Sequence, residues 1–119
     1  MNLPIKFSKN GPHGWLNEKD KILDTVDLIS GKPLGLDHAY YEKEKPSLKA
    51  GIWRSSPYTE YFEDYQYDEF MYLLEGSVTV ESENSNDTFC KGDAFLLPKG
   101  FKGYWKQEEP VLKYYVLVG

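Results

Sequence analysis

The chain has 119 residues, the size of a single domain, since compact domains most often run to about 100–150 residues. Its 14 basic residues against 19 acids leave a net charge of −5, so it lacks the positive surface by which nucleic acid or an anionic membrane is recognised. Two histidines (His13 and His38) and one cysteine (Cys90) are too few for a zinc finger, a disulfide framework or a Cys/His nucleophile. Aromatic residues make up 16% of the sequence, Tyr alone contributing 10 positions, and that content of large rings marks a folded protein. No apolar run approaches the ~18 residues of a membrane span, and no basic-then-apolar leader pattern opens the chain; a cytoplasmic protein is the default expectation.

In chain order, Met1 to Leu36 mixes Gly, Pro and charge around one apolar stretch, Ile22, Leu23, Val26, Leu28 and Ile29, preceded by Asn17 and closed by Gly31. That stretch reads as a short helix or a strand. Residues 1–33 are read as an N-terminal extension packing on the main body or on a partner, and residues 34–119 as the main domain. From Leu34 the texture changes to short β-type runs between turn residues, the pattern of an all-β sandwich or barrel. The candidate strands are His38 to Glu42, Lys49 to Ser55, Tyr65 to Leu74, Ser77 to Glu83, Thr88 to Cys90, Ala94 to Leu97 and Lys113 to Val118, with a further candidate at Gly103 to Gln107. Glu75-Gly76, Asn84 to Asp87, Lys91-Gly92-Asp93 and Pro98-Lys99-Gly100 supply the turn chemistry between them. An all-β antiparallel barrel is the expected architecture, with no internal repeat.

Two blocks carry more than alternation: Glu69-Phe70-Met71-Tyr72-Leu73-Leu74-Glu75-Gly76-Ser77-Val78 and Gly92-Asp93-Ala94-Phe95-Leu96-Leu97-Pro98-Lys99-Gly100-Phe101. They resemble the two signature motifs of the cupin superfamily, a double-stranded β-helix or jelly roll whose open mouth holds a ligand or metal. The likeness is nearest to the small cupins related to ureidoglycine aminohydrolase and to the ethanolamine-utilisation cupin. It extends to Ser30 to Pro33, Gly51-Ile52-Trp53, Trp105 and the closing Lys113 to Val116, and covers about Ser30 to Val118.

The resemblance implies a metal position: many cupins bind a metal with His-x-His, a Glu and a later His. Here only Glu69 stands at such a position; Glu63 and Tyr65 fall where the paired histidines would be, and Gly103 where the last would be. One carboxylate with phenols and no imidazole is a poor shell for a transition metal, so no metal or other cofactor is expected. A hard cation held by Glu63 and Glu69 stays open as the alternative.

The acid surplus and the rings share one place. Residues 51–100 carry 10 acids against 3 basic residues, and Tyr58 to Tyr72 interleaves Tyr and Phe with Glu60, Glu63, Asp64, Asp68 and Glu69. On a strand Tyr65, Tyr67, Glu69, Met71 and Leu73 share one face. An acidic, aromatic mouth suits a small amphiphilic, sugar-like or cationic ligand. Glu69 reads either as a pocket carboxylate able to move protons, with Tyr65 and Tyr67, or as a structural acceptor for buried hydroxyls. Arg54, the one arginine, reads either as a clamp for a ligand carboxylate or as an internal ion pair. Trp53, Tyr61, Glu63, Phe95 and Trp105 complete the expected ligand-binding set, their alternative role being core packing.

Two functions compete. The first is a small-molecule-binding cupin, acting without a metal as an enzyme on a small polar metabolite or as a sensor; the resemblance points to nitrogenous or polyhydroxylated compounds. The second is a non-catalytic dimeric scaffold whose barrel is filled by its own side chains. A homodimer is expected under either.

Overall fold

The computed structural model describes residues 2–119, which form eleven strands and a single 3₁₀ turn at Pro12–Trp15. The strands are β1 (Lys21–Ile22), β2 (Leu28–Gly31), β3 (Leu34–Lys43), β4 (Leu48–Ser55), β5 (Tyr58–Phe62), β6 (Asp68–Glu75), β7 (Ser77–Glu81), β8 (Asn86–Cys90), β9 (Ala94–Leu97), β10 (Gly103–Gln107) and β11 (Val111–Val118). They build two antiparallel sheets, ordered β1-β3-β4-β11-β6-β9 and β2-β5-β10-β7-β8. The expected all-β fold is present, but no strand pairing joins the sheets, so they stack as a sandwich rather than closing into a continuous barrel.

The chain passes from one sheet to the other after most strands; β3–β4 and β7–β8 are the pairs that turn back within a sheet. Gly76 serves one of these crossings, where sequence alone placed a turn between adjacent strands. Its φ is 86°, and a Cβ there would lie 2.0 Å from the Pro110 carbonyl oxygen, so two connections between the sheets touch at a point only glycine fits.

Period-2 alternation decides which side chains the sandwich swallows. In β6, Glu69, Met71 and Leu73 are buried while Asp68, Phe70 and Tyr72 face out; in β11, Val111, Lys113 and Tyr115 are buried. Met71, Leu73, Val78 and Val111 are almost wholly enclosed, each side chain worth about 1.5–3 kcal/mol of burial. Phe89 and Phe95 stack at 3.9 Å beside this cluster.

Over residues 17–29, open between helix and strand, the chain forms two short strands, β1 and the start of β2, with no regular structure between them. β1 pairs with β3 and β2 with β5, and the apolar residues share no buried helical face: Leu23 is buried, whereas Ile22, Val26, Leu28 and Ile29 are exposed. Residues 23–27 run as a strap from the first sheet to the second, tied by Leu23 N–H to the Pro33 carbonyl at 2.8 Å and by Tyr61 N–H to the Asp27 carbonyl at 2.9 Å. Several strand boundaries move by one to four residues, and two differences bear on the site. β6 begins at Asp68, leaving Tyr65 to Tyr67 as the approach to the strand, and Tyr58–Phe62 is a strand that the acidic, aromatic texture concealed.

Candidate functional site

The inner faces of the sheets do not fill the sandwich completely. A cavity of about 290 Å³ lies between them, near the lower end of the roughly 300–1,000 Å³ typical of ligand sites. Asp37 on β3, Trp53 on β4, Tyr58 and Glu60 on β5, Glu69 on β6, Trp105 on β10, and Lys113 and Tyr115 on β11 line it, with Tyr65, Tyr67, Asp24 and Val26 among the loop and strap residues.

Its centre is an ion pair. Lys113 stands opposite Leu73 in the β11–β6 ladder, but its side chain reaches along the strand past Met71 Sδ, 3.2 Å from Nζ, to donate to Glu69 Oε2 at 2.9 Å. The two side chains are only 8% and 7% exposed. The ammonium also lies 4.5 Å from the Trp53 ring and 4.7 Å from the Trp105 ring, which meet edge to face. Two indoles and a carboxylate thus replace the water that a buried cation gives up. The other Glu69 oxygen accepts the Tyr65 hydroxyl.

Buried polar partners hold the walls in place. Trp105 Nε1 donates to Gln107 Oε1 at 3.1 Å, and Gln107 Nε2 donates to the carbonyls of Ser55 and Ser56, fixing the indole. Tyr115 donates to Asp37 Oδ1 at 2.6 Å. Glu60 is buried and accepts Val26 N–H at 2.6 Å, so its carboxylate pins the strap. Burial pushes the Glu60 carboxyl above the ordinary carboxylate range, opposed by the Val26 and Asp27 backbone N–H groups and by Lys113. Burial, with nearby Glu69, holds the Tyr65 phenol far above its usual value, and burial does the same for Tyr58; both remain protonated donors.

Trp53, Tyr65, Tyr67, Glu69 and Trp105, all expected in the site, line this one cavity. Tyr65 and Glu69 are hydrogen-bonded, and the Tyr67 ring stands 6.0 Å from that of Tyr65. Arg54, Tyr61, Glu63 and Phe95 lie elsewhere. Arg54 faces away, 3.1 Å from Asp20 and over the Trp15 ring at 5.1 Å, beside a separate outer groove. Tyr61 alternates outward on β5 and donates to Glu63, which pairs with Lys102 at 3.4 Å; that bond lifts the Tyr61 phenol to about 12. Phe95 packs in the core between Phe89 and Trp105.

Sequence reasoning missed Lys113, Asp37 and Tyr115, and it counted Tyr58 and Glu60 in the acidic, aromatic mouth without naming them as ligand-binding residues. The signal for Lys113 was present: a strand register that turns Val111 and Tyr115 inward turns Lys113 inward with them.

The residues do not fit the metal of the wider superfamily. The Lys113 ammonium already neutralises Glu69, Glu63 is exposed and paired outside the cavity, and a Cβ on Gly103 would lie 2.2 Å from the Glu81 carbonyl oxygen, which leaves no room there for a ligating side chain. Among the described residues no three His, Cys, Asp or Glu side chains group as a metal shell.

The chain matches the EutQ-like cupin domain over residues 42–115. No curated protein matches it. Among solved structures it is similar to a protein of unknown function of the DUF861 family from Pseudomonas syringae pv. tomato, at 27% identity and a TM-score of 0.75, over 83% of this chain and 44% of that one. The chain therefore spans less than half of that relative's length. It is also similar to the EutQ protein of Clostridium difficile (20% identity, TM-score 0.65, 82% of this chain and 79% of that one). A putative ethanolamine utilization protein Q from Salmonella typhimurium shares the same fold (22% identity, TM-score 0.61, 74% and 70%).

Proposed function

The chain belongs to the EutQ-like cupin domain family, and on that premise we propose that its cavity binds a small organic metabolite without a metal ion. The observation that carries the reading is Lys113: an ammonium of the chain itself occupies the one motif carboxylate, Glu69, inside a cage of Trp53 and Trp105. The cation that would organise a metal-dependent site is here a side chain. Space remains beside it, edged by rings and carboxylates, and this favours a binding cavity over a scaffold with a filled interior. Tyr65, Glu69 and Lys113 form a hydrogen-bonded chain of donor, acceptor and donor, the group through which a bound ligand would share protons.

The test has two arms. Purified protein equilibrated with manganese, zinc and iron, then desalted and analysed, is expected to retain far less than one equivalent; near-stoichiometric retention overturns metal independence. A metabolite panel followed by tryptophan fluorescence and thermal shift is expected to yield ligands that perturb Trp53 and Trp105. A cavity that answers to no compound sinks the binding reading.

A further inference from the structure

Lys113 demonstrates how this cavity holds a cation: one carboxylate below and aromatic faces around the ammonium. The same materials are repeated on the opposite sheet, where no cation of the described residues pairs with the carboxylate. Glu60 is 5% exposed, and among the described residues it takes part in no ion pair; the strap's Val26 N–H is the hydrogen-bond donor to its Oε2. Asp37, by contrast, has Tyr115 and Lys49, and Glu69 has Tyr65 and Lys113.

A second, independent feature stands next to Glu60. Tyr58 is 8% exposed and lines the cavity, yet its hydroxyl enters no hydrogen bond with a described residue. No fully enclosed polar side-chain atom of the described residues lacks a partner, so this hydroxyl keeps accessible surface, on a residue that lines the cavity. Tyr58 and Glu60 are two apart on β5 and present to the same face, about 7 Å from one another along the strand. Phe62 follows on that face, edge to face with Tyr65 at 4.7 Å. Of the four carboxylates that border the cavity, Asp37 is paired with Lys49 and Glu69 with Lys113, while Asp24 and Glu60 pair with no cation of the described residues, a surplus that repels an anionic ligand and attracts a positive one.

We infer that the cavity selects a small organic cation, an alkylammonium or a quaternary ammonium group, seated between the Glu60 carboxylate, the Tyr58 hydroxyl and the rings of Phe62, Tyr65 and Tyr67. The inference rests on the proposal that the cavity binds a ligand and adds the ligand's charge class. Glu60 supplies a counter-charge held in no ion pair with a described residue, and the rings supply faces for the cation.

The experiment uses the full chain and three sets of probes of similar size at matched ionic strength: n-butylammonium and tetramethylammonium, the neutral n-pentanol and glycerol, and butyrate. Tryptophan fluorescence and thermal shift report binding. The expected result is saturable binding of the cations and none of the neutral or anionic probes. Glu60→Gln should weaken cation binding by about 30-fold, the effect of removing one charge of a buried pair. Tyr58→Phe should weaken it by about tenfold, while the exposed Glu83→Gln leaves it unchanged. Binding of pentanol, glycerol or butyrate but not of the cations overturns the charge class and leaves the cavity as a ligand site. Cation binding unaltered in both Glu60→Gln and Tyr58→Phe overturns the placement. Silence from all three sets, together with silence from the metabolite panel, overturns this inference and the binding reading at once.

Discussion

Lys113 and Arg54 are built from the same parts and lie on opposite faces of one sheet. Each is a cation 2.9–3.1 Å from a carboxylate and about 5 Å from an indole, Lys113 with Glu69, Trp53 and Trp105, Arg54 with Asp20 and Trp15. Their strands are neighbours, Trp53 being paired with Lys113 and Arg54 with Leu112, and alternation alone sends one side chain in and the other out. The difference is burial: the inner pair is 8% and 7% exposed, the outer one 38% and 52%. Distance and chemistry being nearly equal, the comparison isolates what solvent does to an ion pair. Water screens the outer pair and stands ready to replace either member; inside, nothing replaces a lost partner.

The largest expected effect comes from breaking the inner pair on one side. Lys113→Met leaves the Glu69 carboxylate buried with Tyr65 as its remaining partner, and should cost about 3–5 kcal/mol in denaturant unfolding. The double variant Lys113→Met with Glu69→Leu removes both charges and should recover most of that loss, because an apolar pair of similar volume spares the cost of desolvating two ions. A single-variant cost below about 1 kcal/mol, or no recovery in the double, would show that the pair is solvated and that the two sides of the sheet do not differ as described.

This contrast also shows where the sequence was legible. Alternation in β6 put Glu69, Met71 and Leu73 on one shared face, which the structure turns inward, and the turn residues located most of the strands that follow. The cavity was not legible, because its wall is assembled from strands far apart in the chain: Trp53, Glu69, Trp105 and Lys113 meet only through packing of two sheets. Arg54 drew attention as the chain's one arginine, whereas Lys113 looked like an ordinary lysine, a residue type seldom found fully buried. In β5 the dense mixture of Tyr and Glu read as a rim, so Tyr61 was favoured although the period of two turns Tyr58 and Glu60 inward instead. The same holds for experiments: Glu69→Gln strands the Lys113 ammonium, so it tests stability as well as the site.

A second, smaller effect sharpens the comparison within the cavity, because Glu60 is a buried carboxylate that forms no ion pair with a described residue. Facing it are Val26 and Asp27 from the strap, Trp105 from β10, Lys113 from β11, and Tyr58, Tyr65 and Glu69; Lys113 favours its charged form, while Asp27 and burial disfavour it. With its folded value raised, the carboxyl binds its proton more tightly in the folded protein. Its contribution to stability is therefore full below the ordinary carboxylate range and is lost as pH rises through the raised value. Glu60→Gln keeps an oxygen for Val26 N–H and removes the titration. Thermal unfolding should show the variant more stable than the parent at pH 8 and equal to it at pH 4; a parent protein that gains stability relative to Glu60→Gln as pH rises would place a cation beside Glu60.

The smallest effect belongs to the outer cation. Arg54→Ala removes an exposed ion pair, worth about 0–1 kcal/mol, and one cation–ring contact, worth about 0.5–1 kcal/mol at exposed sites. Asp20 and the Trp15 ring are then left facing solvent, which hydrates the carboxylate without penalty, so unfolding should shift by about 1 kcal/mol or less and shrink further in high salt. Cation binding in the cavity should not change, since Arg54 points to the other side of the sheet from Trp53. A loss of several kcal/mol would mean that the segment around Trp15 is held to the sheet by Arg54, and that the outer face carries a structural duty its exposure conceals.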